Sequence, residues 1–225
     1  GGAGLQDKVD YSSATNALTV DLSLNYAQGG AEVGVDQLYN IEYVVGGSGN
    51  DSFWGTSADN LFEAGNGVDQ MSYSNLGAYA LNIVLDGAND KIFVTEGTDG
   101  TAGTDTLVGF EVLIGGAGND SIGYAVSGWY DGLVLDGASG TADSLDLSVV
   151  ATDTAKGVAF DLNTSFTNAQ SGLTSLGRVV YNAETMFIKN IEAVTGGAGD
   201  DSFAGSVADE FFHGAGQTTL AGGGD

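Results

Sequence analysis

The chain has no cysteine and no proline, and it carries five Lys or Arg residues among 225. Without cysteine, no disulfide can tie its turns together. No apolar run approaches the ~18 residues of a membrane span. A third-position glycine period is absent, which excludes a collagen triple helix. A single histidine, His213, cannot supply the two metal ligands of an H-E-x-x-H helix. No G-x-S-x-G elbow precedes it, so a Ser-His-Asp arrangement has no frame, and no P-loop lysine follows a glycine run. The chain is therefore read as non-enzymatic. Paired carboxylates are too abundant to mark a glycosidase. A carbohydrate-active β-helix stays open as an alternative, against which the scarcity of basic residues argues.

Thirty acidic residues face those five bases, a net charge of −25. Such a surface repels nucleic acid and anionic membranes and attracts multivalent cations. Disorder is excluded because 42% of residues are hydrophobic and 9% aromatic, enough to build a core. Glycine is abundant, at 38 residues. The sequence opens without Met and begins and ends in glycine-rich runs, as expected of a segment of something longer.

The glycines are ordered. "GGSGNDSFWG" (46–55) returns as "GGAGNDSIGY" (115–124) and "GGAGDDSFAG" (196–205). "GGSGNDSFWGTSADNLF" (46–62) and "GGAGDDSFAGSVADEFF" (196–212) agree at ten of seventeen positions. The unit is G-G-x-G-x-D-x-U-x, with U a large apolar residue. Phe53, Phe62 and Met71 take U nine residues apart, and Asp51 and Asp69 take the acid position eighteen apart. One step back, Glu42, Glu111 and Glu192 fill the acid position before Val44, Leu113 and Val194. Between the rows lie strand-like stretches, "ALTVDLSL" (17–24), "ALNIVLDG" (80–87) and "GVAFDLNT" (157–164). The spans from Tyr11, Tyr73 and Leu147 to Gly46, Gly115 and Gly196 are 35, 42 and 49 residues. Fixed ends around a variable middle are what loop insertions on a repeat scaffold produce. Helix is disfavoured by glycine and β-branched content. The best helical window, 175–194, is read as strand.

The unit has a mechanical sense. Glycine permits positive φ, so the backbone turns sharply and aims carbonyl oxygens inward. The acid adds a hard charged oxygen, and carbonyls with carboxylates suit calcium, which takes six to eight oxygens at ~2.3–2.6 Å. U then starts a short strand and points into the core. Nine residues make half a coil and eighteen a whole one, so residues eighteen apart stack on one edge. For any of these acids the alternative is a turn former that bonds its own backbone.

"GGSGND", "GGAGND" and "GGAGDD", with weaker rows at "AGNGVD" and "GAGLQD", resemble the RTX (repeats-in-toxin, haemolysin-type) calcium-binding repeats of large secreted bacterial proteins. The resemblance implies an all-β right-handed parallel β-roll, one continuous solenoid over 1–225, with modules near 1–72, 73–146 and 147–225. It implies that Asp51 and Asp69 share a calcium ion, helped by the carbonyls of Gly47, Gly49, Gly65 and Gly67. Gly116, Gly118 and Asp120 would form a second turn, and Gly197, Gly199 and Asp201 a third. On the opposite edge Glu42 would face Asn60, and Glu192 would face Glu210. Glu111 is a further ligand candidate, and Asp59 and Asp209 would offer spare oxygens in degenerate turns. The pattern also breaks: eighteen residues after Asp120 stands Ala138, and eighteen after Asp201 stands Thr219. One clean Asp–Asp stack is therefore expected.

The functional expectation is an extracellular, calcium-folded repeat region with a structural or adhesive role at a bacterial cell surface, as in an adhesin, surface layer or matrix. The alternative is a secretion and folding module of an exported enzyme or toxin. Type I secretion is implied by the resemblance. Expected partners are calcium ions, with self-association or a surface glycan as further candidates and no nucleic acid.

Overall fold

The computed structural model describes residues 1–2, 6–97, 103–125, 128–174, 176–206, 210–214, 216 and 218–221. Among them there is no helix, and the strands form two sheets of ten and twelve.

The chain enters with β1 (Lys8–Asp10) in the first sheet and an antiparallel meander, β2 (Thr19–Asp21), β3 (Tyr26–Gln28) and β4 (Val35–Gln37), in the second. It then alternates between the sheets through β5 (Tyr43–Val45), β6 (Ser52–Trp54), β7 (Leu61–Glu63) and β8 (Gln70–Ser72). A second meander, β9 (Leu81–Asp86), β10 (Lys91–Glu96) and β11 (Thr104–Val108), lies wholly in the first sheet. Alternation resumes with β12 (Val112–Ile114), β13 (Ser121–Tyr124), β14 (Val134–Asp136) and β15 (Ser144–Asp146). The third meander, β16 (Ala159–Phe166), β17 (Leu176–Tyr181) and β18 (Glu184–Lys189), lies in the second sheet. The chain ends by alternating through β19 (Ala193–Thr195), β20 (Ser202–Ala204), β21 (Phe211–His213) and β22 (Thr219–Ala221). The repeat strands pair in parallel with strands of the neighbouring circuits.

The reason lies in the U position. A three-residue strand with U at its centre turns one side chain inward and its two flanking residues outward. Phe53, Phe62 and Phe203 are such centres, and all three are buried. Parallel register sets U beside U. In one sheet Val20, Phe53 and Met71 stand in a row, and in the other Val44, Phe62 and Leu107. Both rows belong to one buried cluster, so the sheets face each other across the core. Phe53 meets Phe62 and Phe110 edge-on at 5.8 and 5.3 Å. Each such ring contributes about 1.5–3 kcal/mol by leaving water.

The segments 17–24, 80–87 and 157–164 do supply strands, namely β2, β9 and β16. The described part of the window 175–194, from 176 on, holds β17, β18 and the first residues of β19 and no helix. Asn182 and Ala183 take positive φ of 53° and 68°, which closes β17 on β18 with the twist hairpins favour. The aromatics near 124–130 are not free for a ligand. Tyr124 and Tyr130 are buried, and Trp129 stacks on Tyr124 at 6.1 Å. His213 is exposed.

Candidate metal centre

The glycine turns set backbone on backbone. Gly65 and Gly67 have φ of +107° and +141°. A Cβ on Gly65 would strike the carbonyl oxygen of Gly47, and one on Gly67 that of Gly49. Only glycine allows this approach. The Asn66 amide donates to the Gly47 carbonyl at 3.0 Å, and the turn formed by residues 64–69 is thereby stacked on the turn formed by 46–51.

Within this stack the acids bond upward, each accepting an amide of the preceding circuit. Asp51 accepts from the Leu18 amide at 2.8 Å and, with its second oxygen, from the Gly47 amide at 2.8 Å. The Asp51 amide donates to Asp69 Oδ1 at 2.7 Å, and the Asp69 amide to Glu111 Oε2 at 2.7 Å. Asp69 Oδ2 is buried and has no partner. Burial pushes the Asp69 carboxyl up to about 7, against the pull of the Asp51 amide, and the Asp51 and Glu111 charges add to the rise. Burial raises Asp51 and Glu111 too. Two or three backbone hydrogen bonds normally favour the charged form; here desolvation outweighs them.

The other predicted residues fall as follows. Asp120 accepts from the Leu81 amide at 2.8 Å and the Gly116 amide at 2.9 Å. Asp201 accepts from the Val158 amide at 2.8 Å and is also held by the Gly197 amide. Gly199 presses on the Lys156 carbonyl as Gly67 does on that of Gly49, and Gly197 on that of Ala151. Glu42 and Asn60 share a register, two residues ahead of the paired Val44 and Phe62. They do different work: Glu42 caps the Asp7 amide at 2.9 Å, while Asn60 Oδ1 takes the Thr56 amide at 3.1 Å. Glu192 and Glu210 are likewise in register, with Glu192 on the Asp143 amide at 2.8 Å and Glu210 on the Ser206 amide at 3.0 Å. Asp59 caps the Thr104 amide at 2.7 Å. Asp209, and part of the glycine run in "GAGLQD", lie outside the described residues.

Two spacing expectations are corrected. Ile122 pairs with Leu145, so the residue stacked on Asp120 is Asp143, twenty-three positions on, and not Ala138. Phe203 pairs with Leu220, which puts Thr218, not Thr219, at the acid position above Asp201. In both cases the turn has a length other than nine, while the U residues still find each other. Hence there are two Asp–Asp stacks where one was expected. A second missed acid is Asp105, two residues ahead of Leu107 in the row of Phe62. It accepts the Asn60 amide at 2.8 Å and the Tyr73 hydroxyl at 2.8 Å, and burial pushes it up to about 8. Both acids carry a legible signal, "DTL" (105–107) and "DSL" (143–145), the D-x-U core without its glycine pair.

These turns fit a hard divalent cation in donor type. Their oxygens are carbonyls and carboxylates. Asp69 and Asp143 each keep one buried oxygen without a partner. The three ion pairs among the described residues, Lys8–Asp10, Lys156–Asp153 and Lys189–Asp136, leave the buried acids uncompensated. An unpaired buried carboxylate is costly unless something neutralises it. No group of three or more His, Cys, Asp or Glu side chains converges among the described residues. Carbonyl oxygens would therefore make up much of any coordination shell.

Comparison with protein-family models finds four copies of the RTX calcium-binding nonapeptide repeat, over residues 40–72, 108–122 and 191–220. Comparison with curated proteins finds no match.

Proposed function

We propose that this chain, which carries four copies of the RTX calcium-binding nonapeptide repeat, is a calcium-folded structural segment of a secreted surface protein. The observation that carries this reading is Asp69 Oδ2, a buried carboxylate oxygen without a partner in a turn that only glycine can form. Asp51 and Asp69, with the carbonyls of Gly47, Gly49, Gly65 and Gly67, would hold the ion at the first turn. Gly116, Gly118 and Asp120 would do so at the second, and Gly197, Gly199 and Asp201 at the third. Glu111 would close the first stack from below. Bound calcium would supply the positive charge that the buried carboxylates lack.

The chain's own residues do the rest. The U residues bring successive circuits into register, and the carboxylates fasten each turn to the amide above it. In this reading the alternating sheets wind as one right-handed β-roll over 1–225, with modules near 1–72, 73–146 and 147–225. At low calcium the clustered carboxylates, part of a net charge of −25, oppose closure. A ligand bound only by the folded chain stabilises it by about 2.7 kcal/mol at one hundred times its Kd. Extracellular modules work at ~10⁻⁴–10⁻³ M calcium. A chain so tuned stays open inside a cell and folds outside it, which suits export. The lack of catalytic groups favours a structural or adhesive role over chemistry.

Far-UV circular dichroism in chelator and then in millimolar calcium tests the proposal. The expected result is a disordered spectrum that converts to β on adding calcium. An unchanged β spectrum in chelator overturns it.

A further inference from the structure

The turn at 137–143 lies between the family matches at 108–122 and 191–220, and it lacks the repeat's spelling. It nevertheless reproduces the bonding of the 64–69 turn bond for bond. The Asp51 amide donates to Asp69 Oδ1 at 2.7 Å; the Asp120 amide donates to Asp143 Oδ1 at 2.6 Å. The Asp69 amide donates to Glu111 Oε2 at 2.7 Å; the Asp143 amide donates to Glu192 Oε2 at 2.8 Å. Gln70 donates to the Asp51 carbonyl at 2.9 Å, and Ser144 to the Asp120 carbonyl at 2.8 Å. Asn66 donates to the Gly47 carbonyl at 3.0 Å, and Ser139 to that of Gly116 at 3.2 Å. Even the outer cap recurs, with Val68 on Asn50 Oδ1 at 3.1 Å and Thr141 on Asn119 Oδ1 at 3.0 Å.

The open oxygen recurs as well. Asp143 is fully buried, and its Oδ2 has no partner. A Cβ on Gly140 would lie 2.6 and 2.7 Å from the two Asp143 carboxylate oxygens and 2.8 Å from the Gly118 carbonyl. Gly140 thus stands as Gly67 does, between the acid of its own turn and the carbonyl of the circuit above. The nearest ion pair, Lys189 with Asp136 at 3.0 Å, engages a different carboxylate. The extra length of this turn is taken up at Ala138, whose φ is +66° and whose amide is capped by Asp136 at 2.9 Å.

We propose that Asp143, with the Gly118 carbonyl across Gly140, forms a calcium site equivalent to the one at Asp69. The proposal rests on the calcium reading of the Asp51–Asp69 stack. It brings to the second turn an acid from outside the family match and makes the glycine spelling unnecessary once U residues and the acid are in register.

The test counts calcium ions, by native mass spectrometry and by calorimetry with calcium chloride alone, on the whole chain and on Asp69→Asn, Asp143→Asn and the double variant. Asparagine keeps the Oδ1 acceptor and removes the charge. The expected result is one ion fewer in each single variant and two fewer in the double. An Asp143→Asn chain that binds as many ions as the parent, while Asp69→Asn loses one, overturns the second site and leaves the first standing. If neither variant loses an ion, the calcium reading of both stacks fails. Should Asp143→Asn not fold in calcium, terbium-soaked crystals of the parent chain decide. Anomalous density beside Asp143 Oδ2 is expected, and density at Asp69 alone overturns the proposal.

Discussion

Asp69 and Asp105 hold the same place in their rows, two residues ahead of a buried apolar residue, and both are buried. Their surroundings part them. Asp69 lies among glycines, gives one oxygen to an amide and keeps the other open. Asp105 has both oxygens taken, one by the Asn60 amide and one by the Tyr73 hydroxyl. At Asp69, where glycine lets two backbones close up, the acid retains capacity for a cation. Where a tyrosine reaches in, the same acid becomes an internal crosslink. The row position therefore does not assign the role; the neighbours do.

The largest effect that separates the two edges is steric. Gly67→Ala forces a positive-φ residue against the Gly49 carbonyl, whereas Gly55→Ala, on the Asp105 edge, meets side-chain atoms, Asp105 Oδ2 at 2.9 Å and Met71 Cε at 3.1 Å. Thermal unfolding in calcium should show a loss of about 2–6 kcal/mol for Gly67→Ala, backbone strain and overpacking together. Gly55→Ala should cost less, and equal losses would erase the distinction.

The pH dependence comes next. Asp69 and Asp105 bind protons more tightly in the folded, metal-free chain than in the unfolded one, since burial raises them from 3.8 to about 7 and about 8. Glu96, also buried, rises to about 7. The folded state holds more protons through that window, so metal-free stability should fall as pH rises from about 4 to about 8. Asp69 alone accounts for about 4 kcal/mol of that. In saturating calcium the Asp69 share should vanish and the share of Asp105 and Glu96 remain. Since the metal-free chain is expected to be disordered near neutral pH, circular dichroism in chelator should show β structure gained as pH falls from 8 to 4, and denaturant titrations in calcium at pH 5 and 8 measure the share that remains. The smallest effect is Tyr73→Phe, which strips Asp105 Oδ2 of its partner. A loss of about 1–3 kcal/mol is expected in calcium, with the ion count unchanged. A change in ion count would move Asp105 into the metal centre.

Much of this was legible from residue order. The U residues and the buried Asp51, Asp69, Asp120 and Asp201 follow from a nine-residue count, because an acid and a hydrophobe at fixed spacing must land on the same turn. Asp143 and Asp105 escaped that count. Pairing is decided by which apolar residues meet in the core, so Leu145 and Leu107 carried their acids into place across turns of other lengths. The meanders were legible as strands, but not their seat. Which sheet admits three extra strands depends on how the circuits close, and no local pattern records it. The hairpin at Asn182–Ala183 was hidden for a related reason: alanine gives no hint of a φ of +68°.

The seating of the meanders has a consequence for growth. In the first sheet three strands separate β7 from β13, while in the second β8 touches β12 directly; the third meander reverses the arrangement, separating β14 from β20 while β15 touches β19. Three strands add about 14 Å at ~4.8 Å each, so either insertion alone makes one sheet outrun the other by that width. Placed on opposite walls, the two cancel: from β5 to β21 and from β6 to β22 the walls reach the same number of strands. Unequal spacers can thus lengthen such a protein and keep its two sheets level, provided they are added by turns to one sheet and to the other.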